Sequence, residues 1–101
     1  MRLEHESAEK LKHELLKILG SELDLRQYRV FFFGSRVAGT GTDRSDIDVG
    51  IEGPPIPTEA WFAIQDGIAK LPILYKIDLV EFRRVAQKFR DVAKQHVEAL
   101  N

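Results

Sequence analysis

Apolar residues at Ala8, Leu11, Leu15, Ile18 and Leu19 follow the spacing of one helix face, while Lys10, Lys12, His13, Glu14 and Lys17 stand off that stripe. The pattern predicts a helix from about Ser7 to Leu19, with Gly20 as its stop. Tyr28 to Phe33 is aromatic and β-branched, is too short for a typical helix and ends at Gly34, which predicts a buried strand. Gly34 to Ser45 is rich in Gly, Ser and Thr and reads as loop with room for one helical turn. From Asp46 to Ile51 polarity alternates: Ile47, Val49 and Ile51 share one face of a second strand, Asp46 and Asp48 the other. Pro54, Pro55 and Pro57 force a turn, and Thr58 is then the expected cap of a helix with Trp61, Ile64, Ile68 and Leu71 inward, ended by Pro72. Tyr75 to Phe82 predicts a third strand, apolar on both faces around Asp78. A last helix is expected from Val85 to Leu100, with Val85, Phe89, Val92, His96 and Leu100 on one stripe.

This order of elements predicts an α/β (α+β) fold, a small sheet flanked by helices, and leaves the direction of the third strand against the second open. With 101 residues, 44% of them hydrophobic, the chain is expected to make one domain over residues 1–101 around one core. Fifteen basic residues nearly balance 16 acidic ones, so no net field draws the whole protein to nucleic acid or to an acidic membrane. Phe31, Phe32 and Phe33 are more simply core than a stacking surface for bases, and direct nucleic-acid binding is not expected. The absence of cysteine excludes a disulfide framework, a thiolate zinc site and a cysteine nucleophile, and suits a reducing compartment. Apolar runs are too short to span a membrane and the N-terminus does not read as a signal peptide, so the expected location is the cytoplasm.

The chemistry concentrates in two places. Asp46 and Asp48, two apart on a strand, leave the same face and can converge on one cation. Asp78, read as a carboxylate buried among apolar neighbours, needs compensation for the several kcal/mol that unpaired burial of a charge costs. Three carboxylates at one point make the oxygen-rich site that magnesium prefers. The second place is the Gly34-Ser35 turn directly after the first strand, where close backbone approach, exposed amides and a hydroxyl can cradle phosphate, with Arg36 next to it. Known alternatives fail on inspection. A P-loop would need lysine where Thr40 stands, a dinucleotide fingerprint would need a third glycine at Arg44, and a calcium loop from Asp46 would need glycine at Ile51.

Gly34-Ser35, ten residues, then Asp46-Ile47-Asp48 resembles the GS-x10-DxD signature of the minimal nucleotidyltransferases (MNT) of the DNA polymerase β superfamily, and the segment Lys76 to Phe82 resembles the strand that brings that family's third aspartate. The resemblance implies a polymerase-β-like nucleotidyltransferase fold. It implies that Asp46, Asp48 and Asp78 are the catalytic, metal-binding residues, holding magnesium or manganese. It also implies that Gly34, Ser35, Arg36 and Ser45 bind the nucleotide, ATP. An acceptor hydroxyl would attack the α-phosphorus with Asp78 as base. Family members of this size are commonly encoded beside an all-helical HEPN protein, and several act as its antitoxin by transferring AMP to a toxin tyrosine. The resemblance therefore implies an MntA-like antitoxin with a HEPN-type partner; whether the chain also forms a homo-oligomer is left open by the sequence.

The alternative is a non-catalytic antitoxin that neutralises a helical partner by covering it; the presence of all three aspartates and of Gly34-Ser35 argues against a decayed site. His5, His13 and His96 show no ligand spacing, and His96 is read as a packed residue of the last helix. Trp61 reads as core or as a partner contact, and Lys76 as exposed. Tyr28 and Tyr75, at strand starts, are expected to pack.

Overall fold

Leu11, Leu15 and Leu19, about one turn apart, form the buried face of α1 (Ala8–Glu22) in the computed structural model, which describes residues 1–42 and 44–101. Asp43, inside the glycine-rich turn, lies outside the described residues. The Ser7 hydroxyl caps α1 by accepting from the Lys10 amide at 3.3 Å. The helix does not stop at Gly20, as its sequence suggests, but runs on to Glu22. An internal glycine costs only about 1 kcal/mol, less than the burial of Leu19 and Leu23 on either side of it returns.

The chain continues through β1 (Arg29–Phe33), α2 (Ser35–Ala38), β2 (Ile47–Glu52), α3 (Thr58–Ala69), β3 (Ile77–Glu81), a 3-10 turn (Phe82–Arg84), α4 (Gln87–Ala93) and β4 (Glu98–Ala99). The sheet order is β3-β2-β1-β4, with β1 antiparallel to both neighbours and β2 parallel to β3. The expected mixed sheet flanked by helices is present, and the open question of direction is answered by α3, the crossover that a parallel pair requires. At the start of α3 Pro57, not Thr58, holds the cap position, and Thr58 is the first helical residue.

Strand alternation divides the sheet into two unlike faces. Val30, Phe32, Ile47, Val49, Ile51 and Leu79 point to one side and pack with Leu11, Leu15 and Leu19 of α1 and Ile64 of α3 in the main core. The other side has a smaller cluster, Phe31, Phe33 and Phe82 with Val80, Val85 and Ala93. Phe82 meets the rings of Phe31 and Phe33 edge to face, at centroid distances of 4.9 and 5.0 Å. Gly50 makes the room: a Cβ there would lie 2.5 Å from the Phe31 ring.

The C-terminal third differs most from expectation. The last helix ends at Ala93 instead of reaching Leu100, and Glu98–Ala99 pair with Phe32 and Phe31 as β4. The edge of β1 has amides and carbonyls to satisfy, and this segment satisfies them: Leu100 donates to the Val30 carbonyl at 2.8 Å, and the Asn101 side-chain oxygen accepts from the Val30 amide at 2.8 Å. Glu98 also pairs with Lys12 at 3.0 Å and with the Met1 amino group. Among the described residues no helix is long and apolar enough to cross a membrane.

Candidate active site

The second sheet face carries the carboxylates. In the register of the sheet Phe33 lies opposite Asp48, and Asp48 opposite Asp78, so the two aspartates are side by side on adjacent parallel strands. Asp46 stands one residue ahead of β2, exposed, with the same parity as Asp48. Asp78 is exposed as well, which corrects the expectation of a carboxylate buried on both sides. The reason lies in the sheet order: β3 is an edge strand, with no further strand beyond it. Its position beside Asp48, not burial, is what marks Asp78.

Gly34 and Ser35 close the same site from β1. Gly34 has φ 82° and ψ −163°, and a Cβ on it would sit 2.1 Å from Oδ2 of Asp48, so the turn runs directly against the carboxylate. The Val37 and Ala38 amides donate back to the Gly34 carbonyl, and those of Thr40 and Gly41 to the Ser35 carbonyl at 3.0 Å each, folding the turn tightly around Ser35. A cavity of about 450 Å³ opens here, lined by Gly34, Ser35, Thr40, Asp48 and Asp78 on one side and by Phe89, Val92 and His96 on the other.

The remaining nucleotide-site expectations fall outside that lining. Arg36 donates from Nε to the Ser45 carbonyl at 2.8 Å, and its guanidinium lies 4.8 Å from the centre of the Tyr75 ring. Ser45 is tied to Thr42: its hydroxyl accepts from the Thr42 amide at 2.9 Å and lies 3.5 Å from the Thr42 hydroxyl, and its own amide donates to the Thr42 carbonyl at 3.1 Å. Conversely, Phe89, Val92 and His96, a packed stripe by their spacing, form the opposite wall of the cavity, with Phe89 46% and Val92 61% exposed. His96 is exposed. The polar run Lys94-Gln95-His96, which interrupts the apolar stripe beyond Ala93, is the signal that could have ended the helix early.

Burial, then the charge of Asp78, then that of Asp46, raise the Asp48 carboxyl above the ordinary carboxylate range. All three causes disfavour the anion, and a cation between Asp48 and Asp78 would reverse the balance. Among the described residues no group of three or more His, Asp or Glu side chains is placed to hold a metal ion, so the expected meeting of three carboxylates is not seen, and Asp46 lies outside the cavity lining that Asp48 and Asp78 share. Paired carboxylates with room for phosphate and water nevertheless fit magnesium, which is commonly held by one or two carboxylates and completes its shell with solvent and substrate oxygens.

A carboxyl raised on folding binds its proton more tightly in the folded chain. Its stabilising effect is therefore complete below the unfolded value and disappears as pH rises through the folded one. Asp48→Asn is accordingly expected to be more stable than wild type at about pH 7 in chelator, with the gap closing at about pH 3, where Asp48 is protonated in both states. Magnesium should raise the wild-type midpoint and leave that of the variant in place. Denaturant titrations at the two pH values measure this, and equal midpoints at neutral pH would count against the repulsion.

Over residues 28–100 the sequence matches the family described as polymerase beta nucleotidyltransferase. The chain belongs to that family. No curated protein sequence matches this nucleotidyltransferase. Among solved structures it is similar to a toxin–antitoxin with AMP-PNP, at TM-score 0.68 and 22% identity over 89% of this chain and 72% of the other. It is similar also to a chain of the tri-AMPylated Shewanella oneidensis HEPN toxin in complex with MNT antitoxin, at TM-score 0.64 and 19% identity over 92% and 71% of the two chains. A mutant of the toxin–antitoxin MntA-HpeT gives TM-score 0.67 and 20% identity over 89% and 72%. At these identities the likeness is one of fold, and it is the fold that the GS-x10-DxD resemblance implies.

Proposed function

We propose that this nucleotidyltransferase is a single catalytic domain that transfers AMP from ATP to a hydroxyl of a partner protein, a tyrosine of a helical HEPN-type toxin, and so acts as its antitoxin. The observation that carries the reading is the meeting of Ser35, Asp48 and Asp78 around one cavity. Toxin–antitoxin neighbours, one with AMP-PNP and one with an AMPylated HEPN toxin, support the nucleotide and the partner. The exposed apolar wall of Phe89 and Val92, opposite the carboxylates, favours a protein acceptor over a small polar one.

In this reading Gly34 and Ser35 hold the triphosphate by backbone approach and hydroxyl. Asp46, Asp48 and Asp78 hold magnesium or manganese, which when bound supplies charge neutralisation at the α-phosphate and the leaving pyrophosphate. Asp78, exposed and lining the cavity, takes the proton of the acceptor hydroxyl as its oxygen bonds to the α-phosphorus and the bond to pyrophosphate breaks.

The test incubates the protein with ATP labelled on the α-phosphate, magnesium and a lysate of the source cells, with a chelator control. Label on one protein band, lost with chelator and mapped to a tyrosine by mass spectrometry, is the expected result. Label confined to small molecules would overturn the protein acceptor, and no labelling while a helical partner co-purifies would favour neutralisation by binding alone.

A further inference from the structure

Arg36 stands directly beside the Gly34-Ser35 turn in sequence, yet the fold gives its guanidinium to other groups. Residue 36 follows Ser35 by about 100° around the helical turn, so with Ser35 on the cavity the next side chain leaves in another direction. Its Nε reaches the carbonyl of Ser45, the residue directly ahead of Asp46. Its guanidinium carbon lies over the ring of Tyr75, three residues ahead of Asp78, at 4.8 Å from the centroid. Tyr75 is itself buried and anchored, its hydroxyl accepting from the Glu4 and His5 amides at 2.8 Å each. The two strand entries are already tied to each other, since the Ile47 amide donates to the Lys76 carbonyl at 2.9 Å.

We propose that Arg36 is a positioning residue that works through Tyr75 and Ser45, clamping the Ser35 turn to the entries of the strands that carry Asp48 and Asp78. The inference rests on the nucleotidyl-transfer reading of the site and deepens it: Arg36 fixes how far the phosphate-holding turn stands from the carboxylates, instead of touching phosphate. A planar fork suits the task, because one group can stack on a ring and donate in its own plane to a carbonyl, which an ammonium cannot do.

The test measures binding of a non-hydrolysable ATP analogue with magnesium to wild type, Arg36→Met, Tyr75→Leu, the double variant and Tyr75→Phe. If Arg36 acts through the ring, Arg36→Met and Tyr75→Leu each weaken binding by about tenfold and the double variant is no weaker than either. Tyr75→Phe, which keeps the ring but loses the acceptor for two amides, binds as wild type, and this separates the clamp from general loss of stability. If Arg36→Met weakens binding while Tyr75→Leu matches wild type, or if the two losses multiply in the double variant, Arg36 is a direct phosphate ligand and the proposal is overturned. Amide exchange at Thr42 and Ser45, measured without nucleotide, supplies an independent reading. Acceleration of about tenfold in Tyr75→Leu is expected, and unchanged exchange overturns the clamp. Should wild type fail to bind the analogue, the nucleotide reading falls, and the exchange result still decides whether the clamp exists.

Discussion

Asp78→Asn is expected to reduce nucleotidyl transfer by about 10³- to 10⁴-fold, with folding stability unchanged or slightly raised. The two halves of that expectation have separate causes. Asparagine keeps the shape of aspartate but neither takes a proton nor offers a second anionic oxygen to a cation, so in the proposed mechanism base and ligand would be lost together. Stability is spared because Asp78 is exposed on an edge strand, and its charge is one of the causes that raise the Asp48 carboxyl. An exposed isosteric change alone is worth within about 0.5 kcal/mol. Initial rates of label transfer and thermal melts, taken on the same preparations, check both halves. A variant that retains a tenth of wild-type activity would remove Asp78 from the chemistry.

Gly34→Ala should be nearly as damaging, for a steric reason. The backbone at Gly34, with φ 82° and ψ −163°, lies in a region open essentially to glycine alone, and the added methyl would meet the Asp48 carboxylate at 2.1 Å. Strain of about 1–3 kcal/mol falls on the fold. The turn and Asp48 must also move apart, and a shift of about 1 Å in a reacting group can cost about 10²-fold in rate. Gly39→Ala is the matched control. Gly39 also has φ 82°, but a Cβ there has nothing within 4 Å, so its loss is expected in stability and not in chemistry. Equal activity in the two alanine variants, compared by rate at saturating ATP, would show that the methyl at Gly34 never reaches Asp48.

The parts of this fold that were legible in the sequence are those governed by local alternation. Ile47, Val49 and Ile51 could face the core only if Asp48 faced away, and the Gly34-Ser35 turn follows from a strand that must end. Properties that depend on which strands become neighbours were not legible. Asp78 reads as buried because its flanking residues are apolar, whereas its exposure comes from the edge position of β3. β4 is two residues long and exists by pairing with β1, far back in the chain, so helical spacing from Val85 to Leu100 gave the wrong element for its second half. The same error hid His96, which leaves the packed stripe once α4 ends at Ala93. Arg36 is a case of competition: its neighbours in sequence suggest phosphate, and the ring that engages it arrives only when β3 is laid beside β2.

The matched register of β2 and β3 ties catalytic accuracy to something with no chemistry of its own. Asp48 meets Asp78 only while Ile47 meets Ile77 and Val49 meets Leu79. A slip of one residue would turn Asp78 into the main core and bring Ile77 or Leu79 out beside Asp48, so the site cannot be misassembled without also exposing oil and burying charge. The apolar side of the sheet thus acts as a proofreader for the acidic side. Volume changes at Leu79 or Ile64, remote from any substrate, are errors the active site would feel first as a change in alignment.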